Sequence, residues 1–199
     1  MKILTKQKLA KAVKTIKQGG VVVCSTDTIY GLVCDATNKK AVDKLFKIKQ
    51  RPKNKPVPMF VRNITSAKKL AEIDREQEKF LRKVWPGKTT VVLKSKVQSS
   101  KFKTNPKTKI YGINKNAIAL RIPKHKVISY LLSVIGSPLT GTSANISGQP
   151  AFGNIKEVVK QFENKKYQPD LVLDFGNLSE SKPSKIIDLT AKPYKILRK

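Results

Sequence analysis

Residues 19–34 read GGVVVCSTDTIYGLVC. The paired glycines allow a sharp turn, and the β-branched VVVCS run that follows has the length of one strand. A polar STDT insert then separates it from a second apolar patch at Ile29 to Cys34. Upstream, Leu9, Val13 and Ile16 recur at helical spacing between Thr5 and Gln18, with Thr5 as cap and Gly19 as stop. Downstream, Asn38 to Lys49 is amphipathic again, with Val42, Leu45, Phe46 and Ile48 on its apolar face. Further along, PVPMFV, TTVVLK, AIALRI, DLVLDF and KIIDL are short β-rich runs, interleaved with helical patterns at Glu76 to Val84, Lys126 to Ile135 and Ile155 to Phe162. Alternating strands and helices predict an α/β fold: a single domain over residues 1–199, with a twisted mixed β-sheet flanked by helices.

The 199 residues, 39% of them hydrophobic, suffice for one substantial core. Lys and Arg number 42 against 13 Asp and Glu, for a formal charge of +29, a balance that favours anionic partners or simply covers the solvated faces with lysine. No Asp or Glu occurs from Lys79 to Lys156. A site built there can hold phosphates or RNA but supplies no carboxylate base or carboxylate cage. Lysines interrupt the N-terminal stretch too often for a signal peptide or membrane span, so a cytoplasmic protein with no membrane partner is expected. Cys24 and Cys34 then read as buried thiols. The N-x-S/T triplets at Asn63, Asn145 and Asn177 are chance matches in that setting.

Several familiar chemistries fail on spacing. Gly87-Lys88-Thr89 ends like a P-loop, yet Arg82 stands where the first glycine is required. No GxGxxG follows a strand. One histidine, His125, and two cysteines exclude the usual zinc spacings and leave little for a nucleophilic triad. Asp27 reads either as a base or as an Asx-type brace of the STDT turn.

Three clusters remain: STDTIYGL from Ser25, KIKQRPKNKP from Lys47, and PLTGTSANISGQPA from Pro138. The last leaves backbone N–H groups and small hydroxyls free to surround an anion. Between Val92 and Ala117 a long lysine-rich segment carries Phe102 and Tyr111. Segments of this length are often functional.

These residues resemble the YrdC/TsaC-type threonylcarbamoyl-AMP synthases over nearly the whole chain. STDTIYGL is similar to that family's PTETVYGL, KQRPKNKP to K-x-R-P-x-x-N/K, WPGKTTVVL to WPGPLTLVL, and ALRIPKH to VRVPxH. SANISGQPA is similar to SANxSGxP, PSKIIDL to PSTIVDL, and Arg198 falls where the family ends on Ile-x-Arg. Ser25, Asp27 and Lys88-Thr89 depart from the usual Pro, Glu and Pro-Leu; Phe60 replaces a threonine-contacting His, and Ala117 a common hydroxyl residue. Ending at Lys199, the chain resembles the short form lacking an extra C-terminal domain.

The resemblance implies a YrdC-like fold and the synthesis of L-threonylcarbamoyladenylate from L-threonine, bicarbonate or CO2 and ATP, with pyrophosphate released, for N6-threonylcarbamoyladenosine in tRNA. It implies Lys49, Arg51, Lys55, Ser143, Asn145, Ala151 and Arg198 at ATP, with Lys49 and Arg51 catalytic, and Thr28, Arg121, Gly141 and Ser184 at threonine. It further implies Mg2+ carried by ATP, no protein metal site, no permanently bound cofactor, and a threonylcarbamoyl transferase machinery as partner. From the charge, the acid-free stretch and the basic loop carrying Phe102 and Tyr111, an RNA-binding or ribosome-maturation factor is the rival reading. An accessory domain that binds ATP without making this product is a third.

Overall fold

The computed structural model describes residues 3–97, 109–179 and 181–199. Residues 98–108 of the lysine-rich segment, Phe102 included, lie outside the described residues. Helix α1 (Ile3–Lys17) precedes a hairpin of β1 (Val22–Ser25) and β2 (Tyr30–Val33), followed by α2 (Lys39–Ile48) and β3 (Met59–Phe60). Then come α3 (Ile64–Leu70), α4 (Arg75–Val84), β4 (Thr89–Lys94), β5 (Ala117–Arg121) and α5 (Lys126–Ile135). Strands β6 (Leu139–Thr140) and β7 (Thr142–Ser143), helix α6 (Ile155–Phe162), and strands β8 (Leu171–Val172), β9 (Lys185–Asp188) and β10 (Lys195–Arg198) complete the chain.

The α/β class holds, but the strands form two mixed sheets where the sequence reading placed one. The four-stranded sheet runs β7-β2-β1-β8 and the six-stranded sheet runs β10-β9-β4-β5-β3-β6. Strands β6 and β7 are separated only by Gly141 and belong to different sheets. There the chain steps from one sheet to the other. Two-residue strands carry too little alternation to announce such a step.

The VVVCS run is apolar throughout because both of its faces are covered. Val21 and Val23 join the larger core beneath α2, whereas Val22 and Cys24 join Leu9, Ile16, Ile128 and Leu131 of α1 and α5. Helix α2 begins where Asn38 Oδ1 accepts from Ala41 N at 3.1 Å. Helix α3, which sequence periodicity did not reveal, is seven residues long and is capped by Asn63, one of the triplet asparagines. Strand β10 was also missed, since its four residues are all exposed and show no inward-outward pattern.

Candidate active site

The STDT turn is closed by threonine. Thr26 N and Thr26 Oγ1 both donate to Ile29 O, at 3.2 and 2.6 Å, and Thr26 Oγ1 accepts from Thr28 N at 3.1 Å. The two threonine hydroxyls lie 3.0 Å apart. With the Thr26 proton committed to Ile29 O, Thr28 is the donor between them and keeps its lone pairs for a ligand. Asp27 therefore does not brace the turn, which corrects that reading. Its Oδ2 accepts from Lys124 N at 3.2 Å, and its Oδ1 lies 2.6 Å from Arg121 Nη2. These side chains are 8% and 5% exposed, and the contact is a close ion pair rather than an aligned hydrogen bond. Asp27 is not a free base either.

Arg121, the last residue of β5, also donates from Nε to Gly87 O at 2.9 Å and lies 5.9 Å from the Phe60 ring centre. Gly87 N donates to Ile122 O, so the Gly-Lys-Thr stretch braces the chain just past the end of β5. Burial pulls the Arg121 pKa below its ordinary value, and Asp27 opposes that shift.

Lys49 is 2% exposed just past the end of α2, and Gln50 takes a positive φ of 48° to send the chain on to Arg51. The Lys49 ammonium donates to Ser143 O at 2.7 Å, Asn145 O at 2.9 Å and Asn145 Oδ1 at 3.0 Å. Ser143 Oγ also donates to Asn145 Oδ1, at 2.6 Å, and Asn145 Nδ2 donates to Gln149 O at 2.6 Å. Burial, then the charge of Arg51, pulls the Lys49 pKa down to about 7, while its three acceptors favour the charged form. Arg51 donates to Lys55 O and Pro56 O, shaping the Arg-Pro loop.

Ser184 sits between Thr90 Oγ1 and Arg198 Nη2, each 3.0 Å from its Oγ, and Arg198 Nε donates to Ser184 O at 2.9 Å. The last strand is thereby tied to the residue assigned to threonine.

One cavity of about 540 Å³ is lined by ten of the eleven assigned residues: Thr28, Lys49, Arg51, Arg121, Gly141, Ser143, Asn145, Ala151, Ser184 and Arg198. That size suits a small-molecule site. Lys55 is the exception, with an exposed side chain that is not part of the lining. Ala117 pairs with Lys94 away from the cavity, and Ala119 lines it instead, so the expected loss of a hydroxyl contact at Ala117 does not arise. Tyr111 is half-buried against the larger core, with Lys109 Nζ 5.7 Å from its ring centre. Ser147, a residue of the SANISGQPA motif that sequence reading does not single out, lines the cavity, and its buried Oγ has no partner among the described residues.

Neither cysteine offers a thiolate, since burial pushes both Cys24 and Cys34 up to about 12. What the cavity presents is cations, hydroxyls and backbone groups. Such a set aligns and neutralises anions without forming a covalent intermediate.

The Sua5/yciO/yrdC family profile, described as "Telomere recombination", matches residues 14–199. A Methanocaldococcus jannaschii protein, provisionally named a threonylcarbamoyl-AMP synthase, is 37% identical over 176 residues, or 88% of this chain and 77% of its own. The threonylcarbamoyl-AMP synthase of Vibrio vulnificus is 32% identical over 194 residues, covering 96% of this chain and 97% of its own. The crystal structure of P. abyssi Sua5 complexed with L-threonine superposes with a TM-score of 0.82 at 30% identity, over 97% of this chain and 54% of that one. This chain thus spans about half the length of the Sua5 protein.

Proposed function

The chain belongs to the Sua5/yciO/yrdC family, and from that membership we infer that it is a threonylcarbamoyl-AMP synthase, a nucleotidyltransferase supplying N6-threonylcarbamoyladenosine formation in tRNA. The amine of L-threonine condenses with bicarbonate, losing water, or adds to CO2, losing a proton, to give a carbamate. The carbamate oxygen then attacks the α-phosphate of ATP and displaces pyrophosphate. Apart from CO2 and the amine itself, every reacting group is anionic, which matches a cavity rich in cations.

The observation that carries this reading is the convergence of two clusters on one cavity. Arg121, Thr28 and Ser184 form a set suited to an amino acid: a fork for the carboxylate, hydroxyl acceptors for the amine. Lys49, Arg51, Ser143 and Asn145 form a second set, held by their own hydrogen bonds and suited to the nucleotide. Arg198 lines the cavity and also holds Ser184, so its loss reaches the amino-acid set too. Magnesium would arrive on the nucleotide's phosphates. Asp27, the cavity's neighbouring carboxylate, is already engaged by Arg121, and no group of three or more His, Cys, Asp or Glu suited to a metal occurs among the described residues.

The test is pyrophosphate release from ATP, magnesium and bicarbonate, with and without L-threonine, with the product identified by mass. Threonine-dependent release of threonylcarbamoyl-AMP supports the reading. Folded protein that binds ATP but shows no threonine dependence would return the chain to the accessory-domain reading.

RNA contact is a second reading, favoured by the surface around Tyr167. This exposed ring has Lys47 Nζ at 5.0 Å and Lys166 Nζ at 5.9 Å from its centre, an arrangement on which a base can stack beside phosphates. Binding to tRNA should then fall steeply with salt and weaken in Tyr167→Ala. A transferase that hands the product to tRNA is the partner this activity requires. No described helix is long and apolar enough to cross a membrane.

A further inference from the structure

Arg121 is a buried cation that must be ready for an anionic ligand without collapsing onto its surroundings. Two of its contacts are to uncharged groups, Gly87 O at Nε and the Phe60 ring beside its guanidinium. Neither supplies a counter-charge. Among the described residues, the single carboxylate touching it belongs to Asp27, which reaches across from the β1–β2 turn of the four-stranded sheet to the end of β5 in the six-stranded sheet.

Asp27 can make that reach because Thr26 performs the turn closure that an aspartate usually performs. Its other oxygen is held by Lys124 N, so the carboxylate is fixed from both sides. Nε of Arg121 is therefore committed to Gly87 and Nη2 to Asp27, whereas Nη1 has no protein acceptor among the described residues of a side chain that lines the cavity.

We propose that Asp27 is a positioning residue for the amino-acid substrate: it holds Arg121 so that the remaining guanidinium edge presents itself to the substrate carboxylate. This rests on the reading of the cavity as a threonine site. Two physical effects of Asp27 oppose each other. Its charge repels a ligand carboxylate, and its grip on Arg121 spares the ligand the entropy of ordering a long side chain. The proposal is that the grip wins, because the pair is buried and anchored at both ends.

The experiment is an NMR titration of the wild-type chain and of Asp27→Asn with L-threonine and with L-threoninamide, which lacks the carboxylate. Steady-state KM values for L-threonine and ATP are measured alongside. Asp27→Asn should weaken L-threonine binding roughly tenfold to a hundredfold, the range for one charged contact. Threoninamide binding and the KM for ATP should move less than about threefold, well below that range. A merely structural role would lower all of them together. Asp27→Glu keeps the charge and should recover most of the affinity, and it serves as the test if Asp27→Asn does not fold.

Unchanged or tighter L-threonine binding in Asp27→Asn would mean that repulsion dominates, and the proposal is overturned. Equal losses for L-threonine and threoninamide, or an Asp27→Glu variant that binds L-threonine no better than Asp27→Asn, overturn it as well. A wild-type chain that binds no L-threonine overturns the functional reading and the proposal with it. That outcome is visible before any variant is examined.

Discussion

Lys49 and Asn145 stand 96 positions apart in the chain and are joined twice, the Lys49 ammonium donating to the backbone oxygen of Asn145 at 2.9 Å and to its side-chain oxygen at 3.0 Å. A third bond, to Ser143 O, makes the ammonium the centre around which the Ser-Ala-Asn loop is folded. Lys49 thus organises the nucleotide set besides adding charge to it.

Substituting either residue should therefore disturb the same unit. Lys49→Ala and Asn145→Ala should each reduce threonine-dependent pyrophosphate release by at least about a hundredfold, as expected when a buried charged network loses a member. Their stability losses should be non-additive, with a coupling of about 1–3 kcal/mol in a double-mutant cycle from urea denaturation. Additive losses would show that the two act independently.

The depressed Lys49 pKa has a sign that can be checked. A phosphate binds the protonated amine better, so nucleotide affinity should fall as pH rises through about 7, and binding near that pH should take up a proton. Calorimetry in two buffers of different ionisation enthalpy measures that uptake, which should vanish in Lys49→Met. The stability effect runs the other way. The folded value lies below the ordinary 10.5, so the unfolded chain binds the extra proton, and this group's contribution to stability improves as pH rises from about 7 toward 10.5.

Gly141 is where the chain changes sheets, and a Cβ there would lie 2.7 Å from the Phe60 ring. Gly141→Ala should cost about 1–3 kcal/mol of stability by overpacking and raise the KM for L-threonine. Phe60→Ala removes a core ring and is costly by itself, but it should cost less in the Gly141→Ala background than alone, measured by thermal unfolding, because there it also removes the clash.

Arg198 touches Ser184 through two hydrogen bonds. Arg198→Ala should therefore raise the KM for L-threonine as well as that for ATP, with a stability loss of about 0.5–1.5 kcal/mol per bond before solvent screening at this exposed strand. An effect confined to ATP would place Arg198 with the nucleotide set alone.

Helices α5 and α6 fall on the expected ranges because their apolar residues recur cleanly at helical spacing and their ends are marked. Strands β6 and β7 went unread because two residues cannot display a period. Thr28, Lys49, Arg121, Asn145 and Ser184 were legible as candidates through their motifs. The partners they hold were not, since Lys49 meets Asn145 and Asp27 meets Arg121 across gaps of 96 and 94 positions. Asp27 was misread for a local reason: an aspartate in a tight turn ordinarily braces it, and Thr26 had taken that place.

By itself the sequence determined the α/β class, the interior strand at VVVCS, the absence of a P-loop and of zinc spacings, and, through its ordered motifs, the family. Those properties depend on local periodicity and on residue identity at fixed offsets, both of which can be read along the chain. Only the tertiary structure decided that there are two sheets, that Gly141 carries the chain between them, that Lys55 and Ala117 stand outside the cavity, and that Asp27 faces Arg121. These depend on which distant backbones pack side by side. That choice is made by burial and hydrogen-bond satisfaction summed over the whole molecule, a quantity no local window contains.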